Sequence, residues 1–304
     1  MPLLEVKDLH KSFKGHPSVN GISFGIEAGR CVALLGPNGA GKTTTLRMLA
    51  GLLPQTAGTI TFGGGSPGTD YRQYLGYLPQ APAFYNWMSG HEYILFAARM
   101  SGMNAREAAA ASGAVLERVG LGSAARRRIG GYSGGMKQRL GLGQALVHRP
   151  RLLLLDEPVS ALDPIGRREV MELLRDIREE TTVIFSTHVL HDAEEICDDV
   201  VLMNKGTIAV QGTLSSLRAE YSLPVIRLTT GKEDSAIRWL EALRHKDFIE
   251  EALISDGKAV FNVTDVELAR RTLLQEAVEL DIPLLQFEAG SSTLEDLFMK
   301  VVGT

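Results

Sequence analysis

The stretch from Cys31 to Leu46 reads CVALLGPNGAGKTTTL. Five apolar residues, Cys31 to Leu35, run without a polar interruption, as in a strand covered on both faces. A glycine-rich turn follows, and then a segment with apolar residues at Leu46, Leu49, Leu52 and Leu53, a helical spacing. The turn, Gly36-Pro37-Asn38-Gly39-Ala40-Gly41-Lys42-Thr43, satisfies G-x-x-x-x-G-K-[ST] at every position. Glycines let the backbone curl around phosphate oxygens without a Cβ in the way, and the N–H groups at a helix start supply positive potential. Lys42 adds a full charge toward the outer phosphates, Thr43 can place its hydroxyl on Mg²⁺, and Thr44 continues the cradle into the helix. The competing reading is a glycine turn used only for tight packing. The strand-to-helix setting favours the phosphate loop.

Two further apolar runs end in chemistry-bearing residues. Leu152 to Leu155 are four leucines followed by Asp156-Glu157, and Val183-Ile184-Phe185 is followed by Ser186-Thr187-His188. Continuous rather than alternating apolar runs, separated by helical stretches, point to an α/β fold with a mostly parallel sheet. The C-terminal ends of such strands line the ligand crevice. A carboxylate at the end of a parallel strand beside the first is placed for Asp156 to hold Mg²⁺ and for Glu157 to polarise an attacking water. Alternatively the two acids open the next helix and meet its dipole. Upstream, LLEVKDL from Leu3 and VNGISFGI from Val19 read as short strands of an N-terminal β subdomain. Residues 89–120 are rich in Ala, Met, Leu and Glu and free of proline, which predicts a helical insert over about 85–150. The arginines at 126–128 read as a solvated face. From about residue 221 the pattern changes to a small α+β unit in βαββαβ order, with a hairpin at Asp256-Gly257 and a closing helix, TLEDLFMKVV. The expected domains are 1–220 and 221–304.

Composition narrows the class. With 304 residues, 44% hydrophobic and 22% charged, the chain has an ordinary globular composition, and a net charge of -4 argues against holding nucleic acid by whole-chain electrostatics. The longest apolar run, Tyr93 to Ala98, is six residues, far short of the ~20 of a membrane-spanning helix. Glu5, Lys7 and Asp8 interrupt any secretory h-region, so a cytoplasmic protein is expected. Cys31 and Cys197 form neither a C-x-x-C pair nor part of a His cluster, and are expected as reduced core residues.

A phosphate loop alone fits kinases, GTPases, helicases and transport ATPases. Tyr132-Ser133-Gly134-Gly135-Met136-Lys137-Gln138-Arg139, just before another helical stretch, adds a second potential anion site: a Ser N-cap and two glycines that bare backbone N–H groups. Taken together, and in this order, the motifs resemble the ATP-binding subunits of ABC transporters, whose signature reads close to L-S-G-G-Q. The resemblance spans residues 1 to about 220 and implies the P-loop ATPase fold of that family with ATP and Mg²⁺ as ligands. It implies that Phe13 stacks on adenine, that Gln80 is the Q-loop glutamine beside the Mg²⁺ and the membrane partner, and that Glu157 is the catalytic acid. It further implies that Ser160-Ala161-Leu162-Asp163 is the D-loop, with Asp163 at the nucleotide interface, and that His188 is the switch histidine at the γ-phosphate. Tyr132 and Met136 depart from the usual Leu and Gln, while Ser133, Gly134 and Gly135, the residues expected on phosphate, are kept.

In such a family two ATP sites form between two ATP-binding domains. One motif set per chain implies a homodimer, peripheral on the cytoplasmic face and bound to an integral-membrane permease. The C-terminal unit and its ending, Ser292 to Phe298, resemble ATPases paired with ABC-2-type permeases, which implies export. An importer ATPase, or a non-transport ABC protein on a ribosomal or other soluble partner, is the alternative. A chromosome or repair ATPase would carry a long coiled-coil insertion, which this sequence lacks.

Overall fold

The computed structural model describes residues 2–160, 162–221, 223–296 and 298. The chain divides into two compact units, Met1–Leu214 and Ser215–Thr304.

The first unit opens with a long hairpin. Strands β1 (Leu4–Phe13) and β2 (His16–Ile26) are joined by Lys14 and Gly15, both at positive φ as a primed two-residue turn requires. The two short strands expected from sequence are therefore parts of one ribbon, which carries Phe13 to its tip. After β3 (Cys31–Leu35) and α1 (Lys42–Leu49), β4 (Ala57–Phe62) returns to β1 and completes a three-stranded antiparallel sheet in the order β2-β1-β4. Its apolar face, including Leu4, Val6 and Ile22, shares one core with Leu34, Leu46 and Leu154.

Next come β5 (Leu75–Leu78) and the helices α2 (Gly90–Met100), α3 (Ala105–Arg118) and α4 (Gly134–Leu146). The starts of α2 and α3 are set by capping boxes, Ser89 with Glu92 and Asn104 with Glu107. The chain continues through β6 (Leu152–Asp156), α5 (Pro164–Arg178), β7 (Thr182–Thr187), α6 (Leu190–Ile196), β8 (Asp199–Asn204), β9 (Thr207–Thr213) and α7 (Leu214–Tyr221). The main sheet runs β5-β6-β7-β3-β8-β9, parallel throughout except for β9. Leu152 to Leu155 are fully buried. Covering each such side chain on both faces of the sheet contributes about 1.5–3 kcal/mol.

One expectation needs correction. The acidic strand β6 is not beside β3, because β7 lies between them. The order follows from pairing Leu154 with Ile184 and Ala33 with Phe185, which buries all three apolar runs in adjacent positions. Cys31 and Cys197 are buried free thiols with sulfurs 3.5 Å apart. Burial, with the neighbouring Cys31 thiol second, raises the Cys197 thiol well above its ordinary range. Among the described residues no helix is long and apolar enough to cross a membrane.

The second unit begins at Ser215, within α7, and goes on through β10 (Pro224–Thr230), α8 (Asp234–Leu243), β11 (Ile249–Ser255), β12 (Lys258–Val263), α9 (Val266–Glu279) and β13 (Leu284–Ser291). All sheet neighbours are antiparallel, in the order β11-β12-β10-β13, the split βαβ arrangement. Asp256 and Gly257 form the hairpin turn at positive φ. Ile226, Leu228, Trp239, Leu240, Phe261 and Leu273 fill its own core. Leu294 begins the expected closing helix, TLEDLFMKVV, half of which lies outside the described residues.

Candidate functional site

The loop between β3 and α1 is held open by its glycines. Gly39 and Gly41 sit at φ 82° and 102°, and a Cβ on Gly41 would lie 2.6 Å from the Ser18 carbonyl oxygen. Gly41 is also the N-cap of α1 and offers no side chain to the helix start, so the first N–H groups are left for an external acceptor. Ala40 is buried, and its carbonyl accepts from the Gly206 N–H at 3.1 Å, which anchors the loop while Asn38 and Gly39 stay exposed. Lys42 is 5% exposed; its ammonium donates to the carbonyls of Gly36 at 2.7 Å and Pro37 at 3.0 Å. Loss of water lowers its pKa, and the nearby Glu157 and Asp156 carboxylates oppose that shift.

Four elements converge on this loop. Thr43 Oγ1 donates to Asp156 Oδ1 at 2.9 Å across the end of β6. Asp156 is fully buried, and its Oδ2 meets no donor among the described residues. A buried, unpaired carboxylate oxygen beside a threonine hydroxyl is a donor set suited to a hard divalent cation. Glu157 points away from Asp156, and its backbone is left-handed, at φ 47°. Its Oε1 lies 3.2 Å from His188 Nδ1, its Oε2 accepts from Gln80 Nε2 at 3.4 Å, and Lys42 Nζ is 3.8 Å away. Gln80 arrives from the end of β5 and His188 from the end of β7. Ser18, Asn38, Thr44, Gln80 and Glu157 line a cleft of about 340 Å³ over the loop.

The remaining candidates stand apart. Among the described residues that line the cleft, Phe13, Ser133, Gly134, Gly135 and Asp163 are absent. Phe13 is 46% exposed at the hairpin tip, with Lys11 Nζ 5.2 Å from its ring centre. Ser133 caps α4, accepting from the Met136 N–H at 3.2 Å, and Gly134 presents open space where a Cβ would be. Asp163 caps α5 by accepting from the Gly166 N–H at 2.8 Å; Ala161 of the same expected loop lies outside the described residues. Tyr132, the departure from leucine, is buried and donates to the Ala124 carbonyl at 2.8 Å.

Some residues that shape the site carried no such role in the sequence. Ser18 faces Thr44, Oγ to Oγ1, at 3.0 Å, and Ser186 contacts both acids at the end of β6. Buried Asp192 pairs with Arg167 and accepts from Thr187 Oγ1 at 3.2 Å, tying α5 and α6 to the turn that carries His188. Burial raises the Asp192 carboxyl pKa, with Arg167 opposing. Only the position of Thr187 beside His188 hinted at this network.

The family profile described as ABC transporter matches residues 19–160. The chain is 47% identical, over 99% of each sequence, to the uncharacterized ABC transporter ATP-binding protein YxlF of Bacillus subtilis (strain 168). The chain is an ABC transporter ATP-binding protein. It is also 33% identical to the linearmycin resistance ATP-binding protein LnrL of the same organism, over 99% of this chain and 98% of the relative. A solved ATP-binding subunit of an ABC transporter superposes with a TM-score of 0.65 at 30% identity, over 72% of this chain and 93% of that one. The profile for the C-terminal domain of DrrA1-3-like ATP-binding proteins matches residues 212–302. The P-loop ATPase fold of ABC proteins is thus established for this chain, and ATP binding and hydrolysis are the activity of its family.

Proposed function

We propose that the chain is the Mg²⁺-dependent ATP-hydrolysing subunit of an exporter whose membrane permease is a separate polypeptide. The observation that carries the hydrolytic part is the convergence of Lys42, Gln80 and His188 on Glu157, beside the unpaired oxygen of Asp156. Thr43, Asp156 and Gln80 would hold Mg²⁺, which supplies charge neutralisation on the outer phosphates. Lys42, released from the carbonyls of its own loop, binds the same phosphates. Glu157 accepts the proton of the attacking water. Gln80 and His188, both within reach of its carboxylate, orient that water and the terminal phosphate. Phe13 at the hairpin tip offers a flat face for adenine.

Ser133, Gly134 and Gly135 form a second anion-binding helix start away from the cleft, with Ser133 and Gly134 exposed and Gly135 half-buried. That separation supports a homodimer in which each signature closes on the other subunit's ATP, with Asp163 at the same interface. Closing on ATP and opening after hydrolysis would supply the differential binding that moves a permease between states.

A membrane partner is supported by an exposed apolar surface. Tyr85, Trp87, Phe96 and Met100 are exposed, and Tyr85 lies 6.1 Å from Trp87 and 6.2 Å from Phe96, ring centre to ring centre. Phe96 and Met100 also border a groove of about 360 Å³ lined by Tyr77, from the strand that leads to Gln80. Contiguous exposed aromatics of this kind mark an interaction site. Export is supported by the resistance function in the name of LnrL and by the matched C-terminal domain. We place the protein peripherally on the cytoplasmic face of the membrane.

Phosphate release by the purified full chain with Mg-ATP tests the hydrolytic reading, with Glu157→Gln alongside. The parent should turn over and the variant should not; equal rates would remove Glu157 from the role given to it.

A further inference from the structure

Ser186 is the first hydroxyl after the apolar run of β7 and is completely buried. Its Oγ donates to Asp156 Oδ1 at 2.8 Å and accepts from the Glu157 N–H at 2.9 Å. A serine hydroxyl has one proton to give and two lone pairs to offer, so both bonds form at once without competition. They join consecutive residues whose side chains diverge: Asp156 toward Thr43, Glu157 toward Gln80 and His188. The backbone at Glu157 is left-handed, at φ 47°, a conformation that non-glycine residues rarely adopt and that persists only where the surroundings hold it.

We propose that Ser186 is a positioning residue, a clamp that fixes the angle between the metal-side and water-side acids of the site. Without it the Glu157 N–H would be buried and unpaired, and the backbone would relax toward ordinary geometry, carrying the carboxylate away from His188 and Gln80. Among the interactions described Ser186 reaches the phosphate loop only through Asp156, whose Oδ1 keeps its bond from Thr43 when the serine hydroxyl is removed, so ATP binding is left in place while catalysis falls. This proposal rests on the reading of the site as a hydrolytic one.

The test compares Ser186→Ala with Thr182→Ala in the full chain. Thr182 is a buried hydroxyl of the same strand that accepts from the Gly29 N–H at 2.9 Å, remote from both acids. In Ser186→Ala, hydrogen exchange at the Glu157 amide should accelerate at least roughly tenfold. Turnover number should drop roughly ten- to a hundredfold, with ATP affinity unchanged within about twofold. Thr182→Ala should alter neither reading. A protected Glu157 amide in Ser186→Ala would overturn the clamp. So would loss of turnover matched by Thr182→Ala at equal thermal stability, or a fall in ATP affinity that accounts for the lost activity. If the parent hydrolyses no ATP, the functional reading fails by itself, and the exchange comparison still decides the clamp.

Discussion

Replacing the loop glycines one at a time with alanine separates two costs that the structure distinguishes. Gly39, at φ 82°, has nothing within 4 Å of where a Cβ would sit, so alanine there meets only conformational strain, about 1–2 kcal/mol. Gly41, at φ 102°, meets the same strain and also places its Cβ 2.6 Å from the Ser18 carbonyl, with Met203 and Val19 side chains at 3.3 Å. Backbone oxygen cannot swing aside as a flexible side chain can. Overpacking of this kind adds about 1–3 kcal/mol, for a total of about 2–5 kcal/mol. For a unit of this size each 1 kcal/mol lowers the melting temperature by roughly 2–4 °C. Without nucleotide, Gly39→Ala should therefore melt roughly 2–8 °C below the parent and Gly41→Ala roughly 4–20 °C below, read as the unfolding transition of the first unit. Gly29→Ala, at φ 77° with open space around it, should behave like Gly39→Ala. If Gly41→Ala melts no lower than Gly39→Ala, the close approach of the loop to Ser18 is wrong, and with it the packing that opens the cradle.

Other outcomes follow from particular side chains. Glu157→Gln should bind ATP as the parent does and turn over at least ~10²-fold more slowly, measured by equilibrium binding and phosphate release. Neither Cys31 nor Cys197 should react with a thiol reagent while the chain is folded, since both are buried and the Cys197 thiol is raised; both should react after denaturation. Burial pushes the Tyr71 phenol up to about 12, while its hydroxyl donates to the Leu49 carbonyl at 3.1 Å. Its stabilising effect is whole below the unfolded value of about 10 and is lost as pH rises toward the folded value, so the stability advantage over Tyr71→Phe should shrink across that window. Asp163→Ala should cost about 1 kcal/mol through the lost cap of α5, visible as a lower melting temperature.

The phosphate loop and the three buried strands were legible because each is a local pattern: an apolar run sets a strand covered on both faces, and a glycine spacing sets the turn after it. The βαββαβ order of the C-terminal unit was legible for the same reason, through alternating strands and the Asp256-Gly257 turn. The interposition of β7 between β3 and β6 was not, because strand order depends on which apolar faces meet across the sheet. The β1–β2 hairpin was split in two by the polar residues around Lys14-Gly15, whose turn geometry shows only when the strands pair. Ser186, Asp192 and Ser18 gain their places through contacts 26 to 30 residues away, or across a turn, and ordinary serines and aspartates carry no mark of that in sequence. Phe13 and the Ser133–Gly135 helix start lie off the cleft, and the contacts proposed for them would be made with nucleotide or with a second subunit.

Purification of the tagged full chain from detergent-solubilised membranes of its source cell tests most directly whether this ATPase drives a membrane permease. A polytopic membrane protein recovered in an amount near one to one is the predicted result. Recovery with ribosomes, nucleic acid or soluble proteins alone would contradict it, while leaving the chemistry of Lys42, Asp156 and Glu157 intact.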